Sequence, residues 1–333
     1  MNFKVSASVT LTLFQRWYKM FVEVRFVNYM TVKEASKKWN ITIRRINRLL
    51  NEGRIEGAYK TSASWNIPID ALKPADKRFK RKEKIIIKLD DTFFKFLDSK
   101  KAILDSRRPL PEHTLRTLQE NSILEWTYNS NAIEGNTLTL SETKVVLEGI
   151  TVGGKSVKEH LEVTNHRDAI YFLMELIKEK DKLTEFDIKN IHKLILKEVD
   201  SVNAGVYRNQ NVIISGAKHI PPEHFFIKEQ MENLIENYVG WKEYHPIVRA
   251  ALLHEVFVKI HPFVDGNGRT ARLLMNFEAI KNGYTPIIIN KNQRSEYYDA
   301  LDKAHIENDY TDFIKLIAKA SLESLESYLK IIE

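Results

Sequence analysis

Cysteine is absent from this 333-residue sequence, and no stretch of it is long and apolar enough to span a membrane. The chain therefore has no disulfide bonds and no thiolate metal ligands. This composition suits a reducing compartment, and we expect a cytoplasmic location. Residues 1–30 are rich in aliphatic and aromatic side chains, but Arg16, Lys19, Glu23 and Arg25 interrupt them and no clear cleavage site follows. Such a segment is a poor signal peptide, and we expect no membrane partner.

Positive charge is concentrated at the N-terminal end of the chain. Residues 1–84 hold 19 Lys and Arg against 7 Asp and Glu, a net charge of +12, whereas the remaining residues carry a net charge of −5. Such an asymmetry predicts a basic module joined to a mildly acidic one. Residues 73–84, which are basic and contain proline, are predicted to link the two modules. Residues 1–29 are either an extension upstream of a natural start at Met30 or a short packing arm.

Residues 30–72 have the pattern of two short helices followed by a hairpin. Thr31 and Glu34 have the spacing of a capping box for a helix that ends near Trp39, and Thr42 caps a second helix that ends at Gly53. Two short strands are predicted around a turn at 61–64. This order resembles a small winged helix-turn-helix module of the excisionase type. The second helix carries three arginines on its polar side: Arg44, Arg45 and Arg48.

From residue 85 onward the pattern of apolar residues is mostly helical. A short hairpin is predicted at 212–220, where Pro221 and Pro222 stop it, and no internal repeat or low-complexity tract is visible. We expect an all-α fold with minor β structure, with helices near 90–107, 115–129, 156–180, 184–199, 225–240, 246–260, 268–282, 293–306 and 310–331.

The densest group of chemically useful residues is the run from His261 to Arg272, HPFVDGNGRTAR. Gly266 and Gly268 allow the backbone to adopt positive φ and to approach a ligand closely. The loop opens directly into a predicted helix, whose first N–H groups and dipole attract anions. Arg269 and Arg272, three residues apart, project from one face of that helix. The run therefore predicts a site for a polyphosphate.

Two further residues of the run predict chemistry beside the phosphates. Asp265 offers the hard oxygen ligand that Mg²⁺ prefers, and His261 has the near-neutral pKa that suits a general base. An EF-hand calcium loop also begins Asp-x-Asn, but Arg269 and Asn276 stand at its fifth and twelfth positions. Because the twelfth position requires glutamate, the calcium interpretation is excluded.

At every fixed position the run resembles the signature of the Fic domain family, H-P-F-x-D-G-N-G-R-x-x-R, and the resemblance extends over about residues 90–320. It implies a Fic catalytic domain at 85–333 that transfers AMP from ATP to a protein hydroxyl with the help of Mg²⁺. By the resemblance, His261 is the catalytic base, Asp265 the metal ligand and Arg272 the contact to the γ-phosphate. The other phosphate-binding residues that it implies are Gly266, Asn267, Gly268, Arg269, which is also catalytic, and Thr270.

Segments outside the signature resemble family motifs as well. A G-x-Y-R sequence precedes a flap hairpin that ends in H-x-P-P, and in the family this flap aligns the target by strand addition. The resemblance implies that Ser215 and Gly216 of the flap contact the nucleotide and that Tyr297 lines the adenine pocket. Many relatives have an asparagine where this chain has His305, and this departure puts one expected adenosine contact in doubt.

Residues 130–135, SNAIEG, resemble the inhibitory motif of the family, (S/T)-x-x-x-E-(G/N). In the family the glutamate of this motif pairs with the second arginine of the signature and blocks productive placement of the γ-phosphate. The resemblance implies that Glu134 pairs with Arg272 and inhibits the enzyme. Because the motif precedes the catalytic core, the chain is similar to members whose inhibitory helix lies on the N-terminal side.

Two other functions remain open on the sequence. Some family members remove AMP from proteins and use the inhibitory glutamate to position water. The basic N-terminal module indicates a DNA-binding regulator, with contacts from residues 30–84. The expected target is a protein with a hydroxyl side chain, this chain itself included, and many relatives form homodimers.

Overall fold

A computed structural model describes the protein at residues 28–61, 64–74, 85–179 and 182–332. The chain divides into two compact units, Met1–Lys82 and Glu83–Glu333, each with its own hydrophobic core. The extension or packing arm predicted at 1–29 lies almost wholly outside the described residues, and so does most of the linker predicted at 73–84. The turn predicted at 61–64 is described only at its two ends.

The first unit contains two short helices and a three-stranded antiparallel sheet. Helix α1 begins after Thr31, whose side chain forms the predicted capping box with Glu34, and helix α2 begins after the cap Thr42. The hairpin strands pair as predicted, and an additional strand, too short to show a periodicity, pairs with the second of them to give the order β1-β3-β2. The elements are β1 (Tyr29–Met30), α1 (Val32–Trp39), α2 (Ile43–Asn51), β2 (Tyr59–Lys60) and β3 (Trp65–Pro68). The kinship of this unit to excisionase modules stays a prediction.

The second unit is helical, which confirms the predicted all-α class with minor β structure. Every predicted helix is present, with ends displaced by a few residues. Its α-helices are α3 (Asp91–Ser106), α4 (Glu112–Ile133), α5 (Leu140–Leu147), α6 (Val157–Glu179), α7 (Glu185–Ile195), α8 (Ile227–Gly240), α9 (Pro246–Ile260), α10 (Asn267–Lys281), α11 (Arg294–Glu307) and α12 (Thr311–Ile332).

Helices α9 and α10 form the centre of this unit. Almost every side chain of both helices is buried, and α9 is apolar on nearly all sides, as expected of a helix that other helices surround. The loop between them is thereby held by two rigid, fully packed helices. None of the helices in the described parts of the chain combines the length and hydropathy that crossing a membrane requires.

Two details of the second unit differ from the predictions. The hairpin predicted at 212–220 is wrong, because this described segment has a turn at Ile214–Ala217 but no strand pairing between its arms. The second arm bonds elsewhere: the Lys218 N–H donates to the Asp302 carboxylate, and the ring of His219 bonds the carbonyl of Lys259. Helix α5 was missed, although its capping box at Thr139 and Glu142 was a visible signal.

Candidate active site

The loop between α9 and α10 has a geometry that its own sequence imposes. His261 ends α9 in the left-handed conformation with φ 50°, and Gly266, with φ 76°, turns the chain into α10. The side chain of Asn267 bridges this loop, because its Oδ1 accepts a bond of 3.0 Å from the Phe263 N–H and its Nδ2 donates one of 2.9 Å to the Phe263 carbonyl. The amide is therefore occupied by the loop itself, and Asn267 offers a ligand only its backbone N–H.

His192, on α7, also holds this loop in place. Its ring stacks on Phe263 with centroids 3.6 Å apart, Nδ1 accepts a bond from the Gly205 N–H, and Nε2 donates to the carbonyl of Asp265. With one nitrogen accepting and the other donating, the ring is neutral. Burial lowers the pKa of His192 to about 4, which keeps it neutral at physiological pH.

Arg208 connects the loop to the chain segment that precedes it. Its guanidinium donates three hydrogen bonds to carbonyls: 2.8 Å to His261, 2.8 Å to Gln210 and 2.6 Å to Pro222. Arg208 thereby bonds both ends of the flap segment, at Gln210 and Pro222, and the carbonyl of His261 at the same time. Arg208 acts on the backbone and fixes the distance between flap and signature loop.

The first turn of α10 has the features of an anion site. No side chain among the described residues caps this helix, so the N–H groups at its start remain available. The side chain of Arg269 is 3% exposed, and its Nη1 and Nη2 lie 3.5 Å from Glu162 and 3.6 Å from Asp265, too far for hydrogen bonds. Its Nε and Nη1 have no hydrogen-bond partner within the described part of the chain. A buried guanidinium with unused donors fits an anionic ligand.

Arg272, one turn further along α10, is fully engaged. Its Nε donates to the Ser130 hydroxyl at 2.9 Å, and its Nη2 donates to the Ser130 carbonyl and to Glu134 Oε1, both at 2.8 Å. Its Nη1 donates to the Tyr297 hydroxyl, which also bonds His254. The predicted pairing of Glu134 with Arg272 is therefore present in the structure.

Glu134 lies directly against the start of α10. A Cβ atom added to Gly268 would overlap Glu134 Oε1, so only glycine leaves room for the carboxylate at this position. The side chain of Glu134 is 32% exposed, whereas that of Arg272 is 3% exposed. The carboxylate thus occupies the approach to the helix N-terminus from the solvent side and can leave without disturbing the core.

His261 lies at the start of the loop, and Asp265 lies near its end. Burial, and next the positive charge of Arg208, lower the pKa of His261 to about 4, so its imidazole is neutral and can accept a proton. The Asp265 side chain is 54% exposed and accepts a 2.6 Å bond from the Gly266 N–H. No group of three metal-ligating side chains occurs in the described residues, so a metal at Asp265 needs further ligands from phosphates and water. One exposed carboxylate beside an anion site fits Mg²⁺ in that mode.

The remaining predicted contacts occupy different environments. Ser215 and Gly216 lie exposed at the flap turn, with Gly216 at φ 80°. Thr270 is fully buried, and Tyr297 is buried beneath Arg272 instead of facing an open pocket. His305 lies with Nε2 3.2 Å from Oε1 of the buried Glu255, and its ring packs near His219 of the flap. Nucleotide contacts by these residues stay predictions.

We expect the second unit to lose stability as the pH falls from 6.5 toward 4. His192 and His261 have pKa values of about 4 in the fold, and in the unfolded chain these return to about 6.5. Between these values the unfolded state binds more protons, so the free energy of unfolding falls by about 1.4 kcal/mol per pH unit for each residue and levels off below the folded pKa. Chemical denaturation at pH 7.5, 6.0 and 5.0 measures this fall.

The single-residue control for this expectation is His113, which is exposed on α4. The His192→Gln variant should show a shallower pH dependence than the unchanged protein, whereas His113→Gln should keep the full dependence. Equal unfolding free energies at pH 7.5 and 5.0 would contradict the burial of neutral imidazoles at this site.

The site and fold have known counterparts. Residues 182–279 match the model of the Fic/DOC family. The chain is 37% identical over 254 residues to the protein adenylyltransferase Fic of Aedes aegypti, an alignment that covers 75% of this chain and 50% of that protein. It is 36% identical over 252 residues to the corresponding protein of Drosophila willistoni, covering 74% of this chain and 49% of that protein. The chain thus spans about half the length of these curated relatives.

Two solved structures share the architecture over most of their length. Fic-1 from C. elegans is 33% identical with a TM-score of 0.63, and the alignment covers 72% of each chain. A Fic domain containing signaling protein from Bacteroides thetaiotaomicron is 30% identical with a TM-score of 0.67, over 72% of this chain and 96% of that one. The similarity in sequence and the similarity in fold extend over the same large part of these structures. The chain therefore belongs to the Fic/DOC family.

Proposed function

We propose that the second unit transfers AMP from ATP to a hydroxyl group of a protein and that Glu134 inhibits this transfer. The observation that carries the proposal is the bond between Glu134 and Arg272 beside an uncapped helix N-terminus. The name protein adenylyltransferase, which the curated relatives bear, agrees with this reaction.

The phosphates of ATP are proposed to bind at the first turn of α10. The free N–H groups there carry partial positive charge, and the unused donors of Arg269 lie beside them in a buried environment. Bound Mg²⁺ would be held by Asp265 and would neutralise part of the phosphate charge. In such a dry site, donors that are already in place stabilise the charge that spreads over the phosphates during transfer.

His261 is proposed to act as the general base. The oxygen of the target hydroxyl attacks the α-phosphorus, its proton passes to the neutral imidazole, and the bond from the α-phosphorus to the pyrophosphate oxygen breaks. The low pKa of His261 guarantees the unprotonated form at neutral pH, and Arg208 fixes the backbone from which the ring projects. The protein target is proposed to lie along the flap, where the arms leave backbone groups unpaired with each other.

Inhibition by Glu134 follows from how Arg272 is held. Ser130 and Tyr297 bond all three guanidinium nitrogens, and Glu134 occupies a further N–H on Nη2 that would otherwise be available to the nucleotide. When Glu134 leaves, the arginine stays in place with one donor and one charge available for the γ-phosphate. The inhibitory state therefore differs from the active one by a single side chain.

Removal of AMP from a modified protein is the second reaction that the site favours. Glu134 Oε1 is bound to Arg272, whereas no hydrogen bond from the described residues reaches its Oε2. This oxygen is therefore free to hold a water molecule for hydrolysis. Incubation with a target that already carries AMP distinguishes this reaction from transfer.

A separate function is proposed for residues 28–74. This unit presents lysines and arginines at the surface of its two helices and carries more basic than acidic residues. We infer that it binds DNA, since basic side chains on a helix-turn-helix are suited to the phosphate backbone of a duplex.

We expect Glu134→Gly to raise adenylylation by about 10-fold to 100-fold. A hydrogen bond to a charged group is worth about 1.5–3 kcal/mol. Without Glu134, this free energy no longer opposes binding of the γ-phosphate by Arg272, which corresponds to the expected increase in rate. Incorporation of radiolabelled AMP into the protein itself is the first measurement. Glu148→Gly is the matched control, because Glu148 is also exposed, caps a helix and precedes a glycine with positive φ, but makes no ion pair with an arginine of the described residues. Equal rates for both variants would reject the inhibitory role.

Replacement of His261 by alanine should lower AMP transfer at least about 100-fold, because a general base contributes about 10²–10⁴ to the rate. Binding of a non-hydrolysable ATP analogue, followed by calorimetry, should persist, since His261 is not placed among the phosphate-binding groups. His113→Ala serves as the control for loss of an exposed imidazole. Transfer that survives in His261→Ala would show that another group takes the proton.

A further inference from the structure

One surface of the first unit has the chemistry of a base-reading helix. The exposed side chains of α2 at spacings of three and four residues are Arg44, Asn47, Arg48 and Asn51. The opposite side of α2 is buried in the core of the unit through Ile46, Leu49 and Leu50. The four polar residues therefore form one continuous face, which we call the reading face. From the proposed DNA binding of this unit, on which the inference rests, we infer that the reading face contacts purine bases in the major groove.

The residue types of the reading face match the acceptor and donor pattern of purines. The forked guanidinium of arginine bonds O6 and N7 of guanine, and the amide of asparagine bonds N6 and N7 of adenine. Ile43, which is 47% exposed at the start of the same helix, offers an apolar contact for a thymine methyl group. Helix α2 thus carries two arginines suited to guanine and two asparagines suited to adenine on one side.

Arg48 is held by a hydrogen bond before any ligand arrives. Its Nε donates a 2.8 Å bond to Glu52 Oε1, one turn further along, while its side chain stays 70% exposed. Its two terminal nitrogens make no hydrogen bond with the described residues and can therefore meet a base edge. Holding a flexible side chain in its binding geometry reduces the entropy lost on binding. The role of Glu52 is therefore to position Arg48, and its negative charge is paired instead of repelling DNA.

Exposed lysines elsewhere in the unit are placed for phosphate contacts. Lys33 and Lys37 lie one turn apart on α1, which packs on α2, and Lys60 lies on the exposed strand β2. In helix-turn-helix proteins the first helix crosses the sugar-phosphate backbone while the second enters the groove. The distribution of basic residues around the reading face follows that division of roles.

The partner that fits this surface is duplex DNA. The major groove of B-form DNA admits a helix, whereas that of A-form RNA is too narrow for side chains to read. Protein interfaces need a buried apolar anchor, whereas Ile43 is the single apolar residue among the exposed side chains of α2. From Arg44 to Asn51 the helix rises about 10 Å, which corresponds to about three base pairs.

The test uses the full-length protein and a library of randomised DNA duplexes. We expect selection to enrich a core of about three base pairs that contains guanine and adenine. On the enriched duplex Asn47→Ala and Arg44→Ala should each bind roughly 5-fold to 100-fold more weakly and relax selection at one position. On a random duplex Asn47→Ala should change binding little, and Arg44→Ala should weaken it no more than the loss of one charge does. Lys33→Ala, the control for loss of one positive charge, should weaken binding to both duplexes equally and flatten the salt dependence.

Each outcome separates this inference from the proposals on which it depends. Salt-dependent binding without enrichment would overturn base reading and leave DNA binding intact. Enrichment that survives in Arg44→Ala and Asn47→Ala would place the reading surface elsewhere. Absence of binding to any duplex at 50 mM salt, about the low end of conditions that favour phosphate contacts, would overturn both. Circular dichroism checks that the variants, all at exposed positions, retain their helices.

Discussion

The guanidinium of Arg272 is 3% exposed, and an unpaired charge in such a position costs several kcal/mol. Ser130 and Tyr297 satisfy its hydrogen bonds without neutralising its charge, and Glu134 supplies the carboxylate. An anion must therefore lie against Arg272 for the site to be stable. Glu134 meets this requirement in the structure, and we propose that a phosphate of the nucleotide replaces it in the active state.

The end of α4 favours Arg272 more than it favours Glu134. The carbonyl of Ser130 is among the last four of α4, which have no partner within the helix, and Arg272 donates to it. A cation is favoured at this negative end of the helix dipole, whereas the carboxylate of Glu134 at the same end is disfavoured. Arg272 is thus held at the end of α4 by its bond to Ser130 whether or not Glu134 contacts it. Glu134 is held there by its bond to Arg272.

The sequence allowed much of this site to be predicted because the run from His261 to Arg272 contains its own turn geometry. Glycines at the loop end and arginines at helical spacing predicted a polyphosphate site, and the resemblance of a six-residue motif far upstream to the inhibitory motif of the family implied the contact between Glu134 and Arg272. The supporting residues could not be found in this way. His192 is a single histidine on a helix, and its stacking on Phe263 depends on how α7 packs beneath the loop. Arg208 had a motif match, but its three bonds to carbonyls appear only in the folded chain.

The fold was predicted to a similar extent and for a similar reason. Helical periodicity and caps are local, and all the α-helices of the second unit except α5 followed from them. The hairpin predicted for the flap was wrong because residues 212–220 contain nothing that requires the two arms to pair, and in the structure Lys218 and His219 bond to α11 and α9 instead. Strand β1 forms only because β3 lies beside it, a tertiary cause that two residues of sequence cannot reveal.

The central claim is that Glu134 and the γ-phosphate compete for Arg272. It is tested most directly by the ratio of ADP to ATP dissociation constants, measured by calorimetry with Mg²⁺ in a His261→Ala background that prevents turnover. Competition predicts that adding Glu134→Gly raises the preference for ATP over ADP at least about 10-fold, the equivalent of about 1.4 kcal/mol, and that adding Arg272→Ala removes the gain. An unchanged ratio on loss of Glu134 would contradict the claim.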